Sequence, residues 1–183
     1  SLRRRQRQMC IRDRSYNDAN GIDLIQKYAH IYGLDQKTGL EISESKSSVA
    51  TKYPVMAAIG QSDNNYTTVA LSRYVTAVAS GKKYNYQLMD RIVDASGKTV
   101  KKYKADYEDI SDTLTDSQWD ALHSGMRQVV STMDRFQGFD IPVAGKTGTA
   151  QQTGHANHGL FIGYAPYDDC LLYTSDAADD GES

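Results

Sequence analysis

The stretch Ala-Gly-Lys-Thr-Gly-Thr-Ala-Gln at residues 144–151 decides how the fold of this chain is interpreted. Glycine and threonine are poor helix formers, so the stretch predicts a β-strand. Lys146 places a cation in this strand, the threonines on either side of Gly148 offer hydroxyl donors, and Gly148 itself allows another backbone to approach closely. The sequence therefore predicts a strand whose edge can bind an extended peptide that ends in a carboxylate.

The tripeptide Gly-Lys-Thr also occurs in phosphate-binding P-loops, and this alternative must be weighed against the strand. A P-loop needs a glycine five positions before its Gly-Lys pair and a helix directly after it. Asp140 occupies the earlier position, and the residues after Thr147 include two more glycines and two more threonines before residue 155. The sequence therefore favours the strand over a nucleotide-binding loop.

The residues around this strand resemble a known family. The run Asp-Ile-Pro-Val-Ala-Gly-Lys-Thr-Gly-Thr-Ala-Gln at 140–151, followed by His-Gly-Leu-Phe-Ile-Gly-Tyr-Ala-Pro at 158–166, is similar to the substrate strand and neighbouring strand of penicillin-binding protein transpeptidase domains. The resemblance predicts that these two segments pair as adjacent antiparallel strands.

Two upstream segments extend the resemblance in the same order. The tetrapeptide Ala-Ile-Gly-Gln at 58–61 and the apolar stretch at 66–79 resemble the part of class B members that has Ile-Gly-Gln-Gly and then a Leu- and Ala-rich helix. Residues 21–42 resemble the segment that follows the family's second motif. Together the matches cover roughly residues 20 to 167, as expected for the later part of a class B-like domain.

The resemblance implies a fold and a set of site residues. The implied fold class is α/β of the α+β type, an antiparallel sheet with packed helices like that of serine β-lactamases and transpeptidases, here incomplete. Lys146 becomes a catalytic and substrate-binding residue, because the family's Lys-Thr-Gly strand anchors the substrate carboxylate and helps to frame the oxyanion hole. Thr147, Gly148 and Thr149 become substrate-binding residues. The resemblance implies no cofactor and no metal ion.

The implied reaction is serine acyl transfer from a D-alanyl-D-alanine stem peptide to an amine of another stem peptide, and β-lactams trap the same serine. Its nucleophile is a serine at a helix start that is activated by a lysine one turn later. The implied partners are therefore peptidoglycan stem peptides and β-lactams. The parent protein is expected at the extracytoplasmic face of the bacterial cell membrane, held by an anchor within a cell-wall synthesis complex.

The nucleophile motif, Ser-x-x-Lys, is spelled twice in the chain, and roughly one match is expected by chance at this composition. Ser43 and Lys46 lie in a polar segment that cannot form the apolar helix that the nucleophile needs. Ser80 and Lys83 lie at the predicted end of a helix, next to Gly81. We therefore expect the true motif to lie outside this chain, and the chain alone to be inactive.

The second motif, Ser-x-Asn, has two candidate positions. Ser62-Asp63-Asn64 spells the Ser-Asp-Asn of some serine β-lactamases, but in the resemblance it occupies a variable loop. Ser15-Tyr16-Asn17 precedes the predicted first helix, as the family's motif does, so Ser15 and Asn17 are the candidate catalytic residues. The alternative is that the true motif lies further upstream.

The two ends of the chain differ in composition from its interior. Residues 1–14 contain six arginines and one aspartate, and residues 170–183 contain four acidic residues and no cation. Both strings resemble translated sequencing-adapter DNA, so we expect 1–14 and 170–183 to be non-native flanks of a partial transpeptidase domain at 15–169. The alternative is a basic arm and an acidic tail. The only cysteines, Cys10 and Cys170, lie in these flanks, so the interior predicts neither a disulfide framework nor a cysteine metal site.

Composition excludes other classes of protein. The chain has 183 residues, 39% hydrophobic residues and a formal net charge of −2, so it can fill one core and gives no reason to expect nucleic acid as a partner.

The alternatives to a transpeptidase are a serine β-lactamase or β-lactam sensor of the same fold, and a non-catalytic peptidoglycan-binding module.

Local signals predict the remaining elements. They are a helix that ends at Gly33, a helix capped by Thr67 or Thr68 that ends at Gly81, a hairpin around 94–98, a helix over 116–132 opened by a capping box at Thr115–Gln118, and strands over 140–152 and 158–166. The apolar stripe from Trp119 to Val130 predicts that the helix over 116–132 packs on those two strands.

Overall fold

The computed structural model describes residues 17–150 and 158–168. Its helices, in chain order, are α1 (Asp18–Ile31), the single turn α2 (Pro54–Ala57), α3 (Thr68–Ser80) and α4 (Asp116–Ser131). Its strands are β1 (Lys82–Asn85), β2 (Arg91–Val93), β3 (Thr99–Lys102), β4 (Asp106–Asp109), β5 (Ala144–Ala150) and β6 (His158–Tyr164). Short 3₁₀ turns lie at Ser111–Thr113 and Asp134–Phe136. The expected flanks, 1–14 and 170–183, fall outside the described residues.

Capping residues start the three long helices, and for α3 and α4 they are residues that the sequence predicts as caps. The Asn17 side chain accepts a hydrogen bond from the Asn20 amide at 2.8 Å, and Thr67 accepts one from the Ala70 amide at 3.2 Å. The predicted capping box is present at the start of α4, where the Thr115 amide donates to the Gln118 side chain at 2.9 Å. These bonds satisfy amides that the first helical turn leaves unpaired.

Three antiparallel strand pairs lie within the described residues: β1 with β4, β2 with β3, and β5 with β6. The pairing of β5 with β6 is confirmed, and it runs from Ala144 opposite Tyr164 to Ala150 opposite His158. β5 begins at Ala144 and not at 140, because residues 140–141 form a bend and Pro142, which follows it, has no backbone N–H for a strand ladder. The hairpin around 94–98 is also confirmed, as β2 and β3.

The core lies between the end of α1, helices α3 and α4, and strand β5. Its buried members are Tyr32, Val75, Ala77, Val78, Ile110, Met126 and Ala144, with Trp119, Leu122, Ile162 and Tyr164 packed against them. The apolar face of α4 packs on β5, as the sequence predicts. A mixed helix and antiparallel strand fold is thereby confirmed. No helix within 17–150 or 158–168 combines the length and the apolar character that crossing a bilayer requires.

A buried arginine joins α3 to the segment that follows α1. The Arg73 side chain is only 1% exposed, and its guanidinium donates to the carbonyls of Gly33, Gln36 and Lys37, the last two at 3.1 and 2.8 Å. Main-chain carbonyls near a helix C-terminus carry partial negative charge, so they suit a cation. Gly33 has a φ of +76°, which an L-residue adopts only at a cost.

Gly33→Ala is expected to lower the free energy of unfolding by about 3 kcal/mol. The strain of an alanine at a left-handed φ would account for only about 1–2 kcal/mol of this loss. The added Cβ would lie 2.7 Å from Nη2 of Arg73, and this guanidinium cannot move without breaking its carbonyl bonds. Urea unfolding measures the change. Gly97→Ala is the matched control, because Gly97 also has a positive φ, +86°, but its Cβ would meet nothing within 4 Å. Equal losses in the two variants would show that the contact with Arg73 has no effect.

Candidate active site

Four exposed residues on β5 form the candidate substrate edge: Lys146, Thr147, Gly148 and Thr149. The strand register places Lys146 opposite Ile162 and Thr149 opposite Gly159. In the described part of the chain β5 pairs only with β6, so its other edge has no strand beside it there. An unpaired strand edge presents N–H and C=O groups to which an extended peptide can add.

The ammonium group of Lys146 has no carboxylate partner among residues 17–150 and 158–168. Its Nζ donates to the carbonyl of Thr147, and the side chain is exposed. By contrast, Lys83 is 8% exposed and forms a salt bridge of 2.6 Å to Glu108. Lys146 therefore has donors that can hold an anionic group from outside the chain.

Two glycines of β5 differ in the space around them. A Cβ at Gly145 would lie 2.5 Å from the Phe161 ring and 2.8 Å from the Ile162 carbonyl, so packing against β6 requires glycine there. A Cβ at Gly148 would meet only the Leu160 Cβ at 3.8 Å, which is an ordinary contact. Packing within the described chain therefore does not require glycine at 148, and there is room at Gly148 for another backbone to approach.

The start of β5 is anchored to the core. Ala144 is fully buried, and the Arg127 guanidinium of α4 donates to the Val143 carbonyl at 3.1 Å. On β6, Phe161 stacks on Phe136 with ring centroids 5.3 Å apart. These contacts fix the start of β5, so the substrate edge is built on a supported strand.

Gln61 has no predicted role, although the tetrapeptide that contains it, residues 58–61, resembles a family segment. The structure brings Gln61 to the substrate edge, where its side-chain amide Nε2 donates to the Thr149 carbonyl at 3.3 Å. The contact joins residues 88 positions apart, so no local pattern predicts it. The signal that could have suggested it was the match of residues 58–61 to a family segment.

The string Ser62-Asp63-Asn64 serves the loop that contains it. Asp63 accepts hydrogen bonds from the hydroxyl and amide of Thr51, at 2.7 and 3.2 Å, and the Thr51 hydroxyl bond is the main cause that lowers the pKa of the Asp63 carboxyl to about 2. Asn64 accepts from the Ala50 amide at 2.9 Å. These side chains tie residues 50–51 to the loop that precedes α3.

Neither Ser-x-x-Lys string shows a serine at a helix start. Ser43 and Lys46 lie outside helices and strands. Ser80 is the last residue of α3, and its hydroxyl donates to the Thr76 carbonyl at 2.8 Å. The Lys83 ammonium forms a salt bridge to Glu108, whereas the base that activates the nucleophile must be a neutral lysine beside the serine.

The candidate second motif lies at the limit of the described residues. Ser15 and Tyr16 fall outside them, and Asn17 caps α1 through its side-chain oxygen. The assignment of Ser15 and Asn17 as catalytic residues therefore stays a prediction.

Comparison with known proteins places this geometry in a family. The model of the family described as penicillin binding protein transpeptidase domain matches residues 14–182. Penicillin-binding protein H of Bacillus subtilis (strain 168) is 27% identical over 176 residues, which cover 81% of this chain and 24% of that protein.

Two solved structures show the same fold. Penicillin-binding protein 2B of Streptococcus pneumoniae (strain R6) superposes with a TM-score of 0.65 at 25% identity, over 78% of this chain and 26% of that one. The imipenem acyl-enzyme complex of penicillin-binding protein A from M. tuberculosis superposes with a TM-score of 0.66 at 19% identity, over 76% of this chain and 33% of that one. The chain thus spans about a quarter of the length of the curated relative it matches.

Proposed function

Because this chain belongs to the penicillin-binding protein transpeptidase domain family, we propose that it is part of a peptidoglycan D,D-transpeptidase. The parent enzyme cross-links stem peptides by serine acyl transfer during cell-wall synthesis. The chain contributes the substrate strand to this reaction. The parent is attached to the outer face of the cell membrane by an anchor elsewhere in its sequence and works within a cell-wall synthesis complex.

The observation that best supports the proposal is the exposed ammonium of Lys146, without a carboxylate partner in the described residues, on a strand with an unpaired edge. An extended stem peptide can pair with this edge, with its terminal carboxylate held by Lys146 and by the hydroxyls of Thr147 and Thr149. Gly148 leaves space for the peptide backbone. Strand and cation together orient the scissile amide for attack and stabilise the charge that develops on its oxygen.

The nucleophile comes from a part of the parent that this chain lacks. Attack needs a serine whose proton passes to a neutral lysine in a partly desolvated site. Ser43 and Ser80 lack that setting, because neither stands at a helix start. The second motif is Ser15-Tyr16-Asn17, or else it lies upstream.

The segments at 1–14 and 170–183 do not belong to the natural protein in this proposal. The family match reaches residue 182, so the second boundary rests only on the composition of residues 170–183 and on their likeness to translated adapter DNA. Reassembly of the DNA on both sides of the fragment tests both boundaries, because a natural gene would then encode different residues at these positions.

Fluorescent penicillin labelling, read on a denaturing gel, tests the proposal. We expect the protein from the reassembled gene to give a labelled band and the 183-residue chain to give none, because a stable adduct needs an activated serine. A band from the chain that disappears in Ser43→Ala or Ser80→Ala would contradict the assignment of the nucleophile to another part of the parent.

The same assay, together with a cross-linking assay on stem peptides, separates the alternative functions. Rapid hydrolysis of the label by the full protein would indicate a β-lactamase, and stable labelling without cross-linking of stem peptides would indicate a β-lactam sensor. A full protein that gives no label and contains no Ser-x-x-Lys at a helix start would indicate a non-catalytic peptidoglycan-binding module.

A further inference from the structure

A turn of unusual backbone geometry precedes α3, and Gln61 lies at its centre. The residues on either side have positive φ values, +81° at Gly60 and +83° at Ser62. Glycine adopts such values freely, whereas serine adopts them at a cost. Strained positions of this kind persist only where surrounding contacts fix them, and they occur preferentially at functional sites.

Hydrogen bonds fix this turn around Gln61. The Gln61 amide donates to the Met56 carbonyl at 2.9 Å, and the Gln61 carbonyl accepts from the Asn64 side chain at 3.0 Å. The Ser62 hydroxyl donates to the Lys52 carbonyl at 2.7 Å. The main chain of Gln61 is therefore held on both sides, which restricts where its side chain can reach.

The Gln61 side chain reaches the substrate edge. Its amide donates to the carbonyl of Thr149, three residues after Lys146 on β5. Within the described residues no second strand flanks β5, so at Thr149 the Gln61 amide holds the strand in addition to its pairing with β6. The buried Ala144 and the bond from Arg127 to the preceding Val143 lie at the opposite end of the strand.

We infer that Gln61 is a positioning residue of the substrate strand: the rigid turn at 60–62 holds the Thr149 carbonyl, and so keeps the later half of β5 in the place where it pairs with an extended substrate. This inference rests on the proposed function. Gln61 acts through Thr149 and takes no part in bond making. Loss of the amide leaves the fold intact and weakens binding at the edge.

The test uses the full-length protein that contains this domain, with a β-lactam as the probe. Stopped-flow acylation separates the dissociation constant of the initial complex from the first-order acylation rate. In Gln61→Ala the dissociation constant is expected to rise about 3- to 10-fold, the size of one neutral hydrogen bond, with little change in the acylation rate. Gln61→Glu is expected to lose at least as much, because a carboxylate of the same shape cannot donate to the carbonyl.

The matched control is Gln137→Ala. Like Gln61, Gln137 donates its side-chain amide to a main-chain carbonyl, here that of Ser131 at the end of α4, at 3.0 Å, and within the described residues it makes no hydrogen bond to β5. This variant should bind and acylate like the parent. The thermal midpoints of all three variants should match that of the parent.

A lowered thermal midpoint in Gln61→Ala together with an unchanged dissociation constant would show a purely structural role and overturn the inference. The same assay with Lys146→Ala separates failure of this inference from failure of the proposed function. If Lys146→Ala impairs acylation and Gln61→Ala changes nothing, the inference fails and the proposed function stands. If neither variant changes acylation, the proposed substrate edge fails as well.

Discussion

Lys146→Ala is expected to slow acylation of the full-length protein by β-lactams on the order of 10- to 1000-fold, through lost carboxylate anchoring and lost stabilisation of the oxyanion. The fold should be unaffected. Lys146 is exposed, forms no salt bridge within the described residues, and donates only to the carbonyl of the next residue, Thr147. Removal of its side chain therefore breaks no contact of the core.

Fluorescent penicillin labelling over time measures this effect, and circular dichroism checks the fold. Lys46→Ala is the informative control, because Lys46 is also an exposed lysine and would be the base if the Ser43–Lys46 string were the nucleophile motif. We expect Lys46→Ala to label at the parental rate. A slower labelling rate in Lys46→Ala with a normal rate in Lys146→Ala would show that Lys46, and not Lys146, takes part in acylation. That result would contradict the proposed substrate edge.

Sequence signals that act over a few residues predicted much of the fold. Thr67, Thr115 and Gly81 mark helix ends because capping depends on one side chain or one left-handed φ within a single turn. The pairing of β5 with β6 followed from two strand-like runs separated by a short glycine-containing segment. In these cases the residues that determine the feature are neighbours in the sequence, so a local pattern is enough to predict it.

Elements whose stability depends on distant partners were missed. β1 and β4 have mostly charged or polar residues, and their pairing puts Lys83 directly opposite Glu108, a complementarity that no single segment displays. α2 is one turn that begins at Pro54, too short to show a helical period. The contact of Gln61 with Thr149 was missed for the same reason, since its two residues come together only in the folded chain.

The burial of Arg73 could not be predicted either, since an arginine side chain is usually exposed to solvent. Its place is explained by the segment that it binds. The carbonyls of Gly33, Gln36 and Lys37 accept from Arg73, while the amides of Thr38, Gly39 and Leu40 donate to the carboxylate of Glu44 at 2.9 to 3.1 Å. One cation and one anion thus satisfy successive main-chain groups of a segment without regular structure.

Charge states agree with these roles. Desolvation acts to raise the pKa of Glu44, but hydrogen bonds from the hydroxyl and amide of Thr38 and from the next two amides outweigh it, so the pKa lies below its ordinary value. Burial lowers the pKa of Arg73, and the nearby Glu44 carboxylate opposes this shift. A guanidinium starts from so high a pKa that it stays charged at neutral pH. Both groups are therefore ionised when they bind the segment.

Arg73→Met is expected to lower the free energy of unfolding by about 3 kcal/mol. Methionine can fill much of the buried volume and removes the cost of burying a charge, and in many buried ion pairs such a replacement is nearly neutral. Here the acceptors are main-chain carbonyls that no substitution can remove. All three lose the guanidinium at once, and the Gly33 carbonyl keeps only a long hydrogen bond of 3.4 Å from the Gln36 amide. Each buried polar group left without a partner costs about 1–3 kcal/mol, which outweighs the relief of desolvation.

Urea unfolding of the 183-residue chain, followed by the fluorescence of its single tryptophan, measures the loss. Trp119 is a suitable probe, because its ring packs 6.5 Å from that of Tyr32, at the end of α1 beside the segment in question. Arg91→Met is the matched control. The Arg91 side chain is 59% exposed and, within the described residues, pairs only with the exposed Asp90, so its loss should change stability by less than about 0.5 kcal/mol.

Arg73→Lys separates charge from geometry at the same position. A lysine ammonium is a point charge on a flexible stem and cannot bind three separate carbonyls as a planar guanidinium does. We expect its loss of stability to lie between those of the control and Arg73→Met. Equal stability of Arg73→Met and Arg91→Met would mean that water replaces the guanidinium at these carbonyls, and the segment after α1 would then owe its structure to Glu44 alone.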